Sequence, residues 1–135
     1  MREIKFRGQS IKRHWVTGSL SILKKKLDAA DKGCYISSFA GVPFAYQVRP
    51  ETVGQFTGLH DKNGVEIYEG DFVEFVNTSY KRVVGYIEFD DGEYKITNGD
   101  GNTSLRRAIR TDGYLEIVGN IYENPELPGE RVEDD

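Results

Sequence analysis

Apolar and polar residues alternate over most of the chain, and glycine-containing turns interrupt the alternation every few residues. Ile4 and Phe6 alternate with Glu3, Lys5 and Arg7, which predicts an opening strand. Residues 15–20 hold β-favouring types around Gly18, where a bend or bulge is expected. Residues 23–31 (LKKKLDAAD) are the best helix candidate. Leu23, Leu27 and Ala30 share one side, Lys24, Lys25 and Lys26 stay in water, and Gly33 can close the end. At barely two turns, such a helix would be marginal in isolation. Residues 34–39 and 45–49 read as two further strands around Gly41-Val42-Pro43.

The densest pattern lies in residues 52–75 (TVGQFTGLHDKNGVEIYEGDFVEF). Asn63-Gly64 suits a two-residue type I′ hairpin turn, because both of its central positions need positive φ. Val65 and Ile67 then alternate with Glu66 and Tyr68. Glu69-Gly70-Asp71 makes a second turn, and Val73 and Phe75 alternate with Phe72, Glu74 and Val76. Strands follow at 82–89 and 94–97 around an Asp91-Gly92 turn, and NGDGN at 98–102 reads as a loop tip. Residues 114–122 (YLEIVGNIY) alternate again, while 105–110 fit a strand or a helix equally. The predicted class is mainly β with minor α. A small SH3-like antiparallel barrel occupies 51–124, a β-rich subdomain with one short helix occupies 1–50, and an acidic, frayed tail occupies 125–135.

At 135 residues the chain suits one domain or two small lobes. The single cysteine, Cys34, excludes an intrachain disulfide and a multi-cysteine zinc site, and it fits a reducing cytoplasm. No apolar run approaches the ~20 residues of a membrane span, and MREIKFRGQS lacks the apolar core of a signal peptide. A soluble, cytoplasmic protein without a membrane partner is expected. Net charge is −4, but it is unevenly spread. Residues 1–26 hold eight bases against Glu3, or +7, whereas residues 116–135 hold seven acids against Arg131, or −6. Such polarity could steer head-to-tail contact between subunits or turn a basic face toward an anionic partner.

Candidate chemistry adds little. His14 and His60 are the only histidines, and neither has a neighbour at metal-ligand spacing. Asn98, Asp100 and Asn102 imitate the start of a calcium loop, but its twelfth position is Ile109, so no metal or cofactor is expected. Cys34 reads as a small core residue; a pairing with His14 or His60 would depend on the fold. Neither a nucleophile elbow nor a phosphate loop occurs. Glu66, Glu69, Asp71 and Glu74 could serve an enzyme acting on a small substrate, but wet strand faces and turn chemistry explain them, and no catalytic residue is assigned. Nucleic-acid association is the stronger alternative. Sixteen aromatics are interleaved in places with bases, and small barrels bind strands through such pairs. The candidate residues are Arg2, Lys5, Arg7, Lys12, Arg13, Trp15, Lys24, Lys25 and Lys26.

Three segments carry a resemblance: MREIKFRG at the start, PETVGQFTGLHDKNGVEIYEGDFVEF at 50–75 and LEIVGNIYENPEL at 115–127. Together they resemble the YopX family, whose members are encoded largely by bacteriophages, prophages and mobile elements. The resemblance implies a β-rich domain of phage or prophage origin that assembles with itself. It brings no catalytic residues. The matching motif positions are Gln55, Thr57, Gly58, Asp61, Lys62, Asn63, Gly64, Tyr68, Glu69, Gly70, Asp71, Gly119, Asn120, Tyr122 and Asn124, for which turn and strand-end bonding is the plain explanation. The function expected is therefore a non-enzymatic binding or assembly module forming homo-oligomers, with nucleic acid or another phage or host protein as a further partner.

Overall fold

The computed structural model describes residues 3–28, 30–38 and 45–127. They are mainly β, with two antiparallel sheets and one short α-helix. The chain divides into two compact units, residues 1–56 and 57–135.

The first unit contains β1 (Phe6–Gln9), β2 (Trp15–Leu23), β3 (Gly33–Ser38) and β4 (Ala45–Val48), then a 3₁₀ turn at Pro50–Thr52 and the start of β5 (Gly54–His60). The sheet order is β4-β3-β2-β1-β5. Ile36, Val48 and Phe56 are buried. Gly8 allows this packing, since a Cβ there would lie 2.9 Å from the Val48 side chain. At Gly18 a Cβ would collide with the Ser37 carbonyl, and φ is +154°. The pairing runs through Gly18 without a register shift, so no bulge forms there, and the glycine serves the close approach of Ser37. Thr52 ties the 3₁₀ turn to the sheet: its Oγ1 accepts from Gln9 N–H (2.8 Å) and donates to the Arg49 carbonyl (2.7 Å).

The helix expected at 23–31 is not formed by the described residues. Leu23 is instead the last residue of β2 and pairs with Gly33, while Ile22 pairs with Cys34. Leu27 is 53% exposed and neither Leu23 nor Ala30 is in the buried core, so the apolar side of the expected helix has no buried anchor. The Gly41-Val42-Pro43 turn lies outside the described residues.

The second unit contains the rest of β5 with its sheet neighbour β6 (Glu66–Tyr68), then β7 (Asp71–Val76), β8 (Arg82–Asp90), β9 (Glu93–Asn98), β10 (Gly101–Ser104), α1 (Leu105–Thr111) and β11 (Glu116–Asn120). The order β10-β9-β8-β7-β11 is an antiparallel meander whose last strand returns to its first. No closed barrel forms among the described residues. Ile67, Val73, Phe75, Ile87, Ile96, Leu105, Ala108 and Leu115 make one buried cluster. Burial of a leucine or isoleucine side chain of this kind contributes about 1.5–3 kcal/mol. The helix forms at 105–111 because Leu105 and Ala108 face this cluster and Ser104 caps it, accepting from Arg107 N–H at 3.3 Å.

Turn chemistry differs between the two X-Gly dipeptides. Asp91 (φ 53°) and Gly92 (φ 82°) both have positive φ between the paired residues Asp90 and Glu93, which is the type I′ hairpin. At Asn63-Gly64 only Gly64 has positive φ (81°), so the type I′ turn expected there is not formed. Gly64 N–H donates to the Asp61 carbonyl at 3.0 Å and Asp61 N–H to the Val65 carbonyl at 2.9 Å. The loop is the longer kind that ends in a left-handed glycine.

Candidate functional site

The family-like motif residues gather into a clasp within the second unit. Asp61 is buried, and its carboxylate accepts from Asn63 N–H (2.8 Å), Val65 N–H (3.0 Å) and Ile117 N–H (3.1 Å). Lys62 N–H donates to the Leu115 carbonyl at 2.9 Å, and its ammonium meets Glu116 at 3.2 Å. Asp71, also buried, accepts from Tyr68 N–H at 2.8 Å and pairs in register with Asn120. Gly70 donates to the Ile87 carbonyl and accepts from Ile121 N–H, both at 2.9 Å. Its φ is +91°, and a Cβ there would lie 3.0 Å from the Tyr122 ring. Asn120 is buried at the head of the next turn; its Oδ1 accepts from Tyr122 and Glu123 N–H, while its Nδ2 donates to Glu123. Gly119 lies at a register shift between β11 and β7, against Asn124 and Leu127. Thr57 Oγ1 accepts from Leu59 N–H (3.1 Å), and the Tyr68 hydroxyl donates to Glu66 (3.1 Å). Gly58 has φ +87°, and Gln55 pairs with Phe6. Asp61, Asp71 and Asn120 thus hold backbone amides, and their arrangement joins two stretches about fifty residues apart in sequence.

The basic residues near the start are dispersed. Arg2 lies outside the described residues. Lys5 is turned inward, with its ammonium 3.3 Å from Glu3 and 5.1 Å from the Phe56 ring centroid. Arg7 stacks on Trp15 at 4.7 Å. Lys12 and Arg13 are exposed in the β1–β2 turn, where Arg13 has φ 68°. Lys24, Lys25 and Lys26 are exposed beyond the far end of β2, Lys26 at 3.8 Å from Asp31. The nine residues of β2, spaced by eight steps of about 3.3 Å or roughly 26 Å, keep the two exposed groups apart. Lys12 and Trp15 do come together, with His14 and Tyr46, along a groove of about 680 Å³.

Three of the central carboxylates have different partners: Arg82 holds Glu74 at 2.6 Å, the Tyr68 hydroxyl donates to Glu66, and Asp71 accepts from the Tyr68 amide, while Glu69 stands in the turn before β7. Among the described residues no group of three or more His, Cys, Asp or Glu side chains could hold a metal ion. Asn98 Oδ1 accepts from Asp100 N–H at 2.8 Å, and the loop expected at 98–102 is shorter than the composition suggested: Asn98 ends β9, Gly101 and Asn102 begin β10, and only Gly99-Asp100 form the turn. Tyr86, beside an apolar recess with Phe72 and Ile121, has its phenol pushed above the ordinary 10.0 by burial and then by Glu88. No helix among the described residues is long and apolar enough to cross a membrane.

One surface escaped the sequence reading. Arg106, Arg107 and Arg110 project from α1 beside Lys95 of β9 and Asn102, Thr103 and Ser104 of β10, lining a groove of about 660 Å³. The signal was present in LRRAIRT: apolar residues at 105, 108 and 109 follow helical spacing, and arginines fill the other face.

Comparison with known proteins agrees with this architecture. The crystal structure of protein EF1440 from Enterococcus faecalis is similar, with a TM-score of 0.56 and 23% sequence identity over 94% of this chain and 99% of that one. At that identity the likeness concerns the fold. No curated protein matches the chain. A family model described as YopX protein matches residues 5–127. With that match spanning both units and the whole clasp, the chain belongs to the YopX family.

Proposed function

We propose that this chain is a non-catalytic binding module that assembles with copies of itself, of phage or prophage origin and acting in the bacterial cytoplasm. The observation that carries this reading is the clasp. The buried polar groups of the motif bond to backbone amides and to each other's turns, which is architecture and leaves recognition to other surfaces. The order β11-β7-β8-β9-β10, with a short helix before the last strand, supports an SH3-like reading of the second unit. Self-assembly is supported by the charge polarity between residues 1–26 and 116–135. The edge strand β4 adds to it, since Ala45, Tyr46 and Gln47 are exposed there. Light scattering in moderate salt should report a mass that is a multiple of 15.3 kDa; a strict monomer at every concentration overturns the assembly.

A second reading is nucleic-acid association through the first unit, favoured by the groove that Lys12, His14, Trp15 and Tyr46 share. An exposed Tyr46 and a half-buried Trp15 beside Lys12 suit the stacking of single-stranded bases. Replacing Lys12 and Trp15 together should then abolish binding to an oligonucleotide at low salt, while an unchanged affinity removes this reading.

A further inference from the structure

We infer that the groove between α1 and strands β9 and β10 binds the phosphate backbone of nucleic acid. Its lining carries Arg106, Arg107 and Arg110 against Glu93, on a chain whose net charge is −4, while Lys95 in the same lining is held by Asp90 at 3.5 Å. The ordinary explanation is a solvated helix face, but three features oppose it. Arg106 and Arg110 are four residues apart and Arg107 and Arg110 three, so like charges repel along the helix, each pair costing about 0.2–0.5 kcal/mol. The first turn carries two cations and no acid, although the helix dipole favours carboxylates there. Arg107 stands three residues after the Ser104 cap, where a glutamate would complete a capping box. Among the described residues none of the three arginines has an ion-pair partner.

The lining also selects the ligand. Arginine forks match phosphate oxygens, and the Thr103, Ser104 and Asn102 side chains add neutral hydrogen-bonding groups. No aromatic residue lines the groove, so it offers no base-stacking platform and points to backbone contact. This inference extends the binding-module reading to a surface of its own, and the two fail separately: a monomer that grips DNA removes the assembly and leaves the groove.

The test is fluorescence anisotropy of the full chain with a labelled, mixed-sequence duplex of about 20 base pairs, titrated between about 50 and 200 mM salt. Three phosphate contacts predict a log–log slope near −2.7, or about 40-fold weaker binding across that range. Arg106→Gln/Arg107→Gln/Arg110→Gln should weaken binding at low salt by about tenfold or more and flatten the slope. The control Lys24→Gln/Lys25→Gln/Lys26→Gln should keep the slope. Arg107→Glu alone, which favours the helix, should weaken binding while the protein stays folded. The inference is overturned if the duplex does not bind at low salt, or if the arginine variants bind like the parent. Displacement of the duplex by poly-L-glutamate at matched charge would assign the groove to an acidic polypeptide and overturn it equally.

Discussion

Asp61 accepts hydrogen bonds from three main-chain amides, two in its own loop and one on β11. Removing the carboxylate leaves all three donors without their partner, but Asn63 and Val65 are exposed and water can replace it there, so the half-buried Ile117 amide carries most of the cost of about 1–3 kcal/mol. Asp61→Ala should therefore lose about 2 kcal/mol in urea unfolding. A loss below about 1 kcal/mol would mean that the clasp is decorative. Among the turn residues the contrast is sharper. Asp91 has φ 53°, whereas Asn63 is not among the residues with positive φ. Asp91→Ala should therefore cost about 1 kcal/mol or more, and Asn63→Ala about half a kcal/mol or less. Equal costs would contradict the assignment of the type I′ turn to Asp91-Gly92.

At the scale of elements, α1 has a sequence that works against its own stability. Leu105 and Ala108 anchor it in the buried cluster, but its solvent face is arginine from the first turn onward. Arg107→Glu should raise stability by about 0.5–1 kcal/mol, through the completed capping box and the corrected dipole, while it weakens any polyanion binding. A thermal melt and the anisotropy titration moving in opposite directions would be the signature of a site held at a cost in stability. If instead Arg107→Glu lowers the melting temperature, the arginine face is part of the helix's own support. The two short helical candidates also teach a local lesson. LKKKLDAAD and LRRAIRT have similar length and pattern, yet the first continues from β2 into an irregular connection and the second is a helix. Leu27 stays about half exposed, whereas Leu105 is fully buried.

For the whole molecule, charge is the property most easily tested. A +7 segment at 1–26 and a −6 segment at 116–135 attract between copies at long range, but exposed charges are screened beyond about 8 Å at physiological ionic strength. If the polarity drives self-assembly, the assembled fraction in analytical ultracentrifugation should fall as salt rises from about 0.05 to 0.5 M. An assembly indifferent to salt would assign the contact to an edge strand such as β4 and its backbone hydrogen bonds.

Alternation of period two is a local property, so most strands, the hairpin at Asp91-Gly92 and the mainly β class could be read directly from the residues. The similarity of three segments to the YopX family was equally plain, because it needs only identity and order. Other features depend on what meets across the fold. Residues 105–111 are helical because Ile87, Ile96 and Leu115 surround Leu105 and Ala108. Asn63-Gly64 leaves the type I′ geometry because the Asp61 carboxylate holds the amides of Asn63 and Val65 and also reaches Ile117 on β11. The arginine groove exists only once β9 and β10 are set beside α1. Each outcome is set by partners distant in the chain, whose burial and hydrogen bonding outweigh preferences of a few tenths of a kcal/mol per residue.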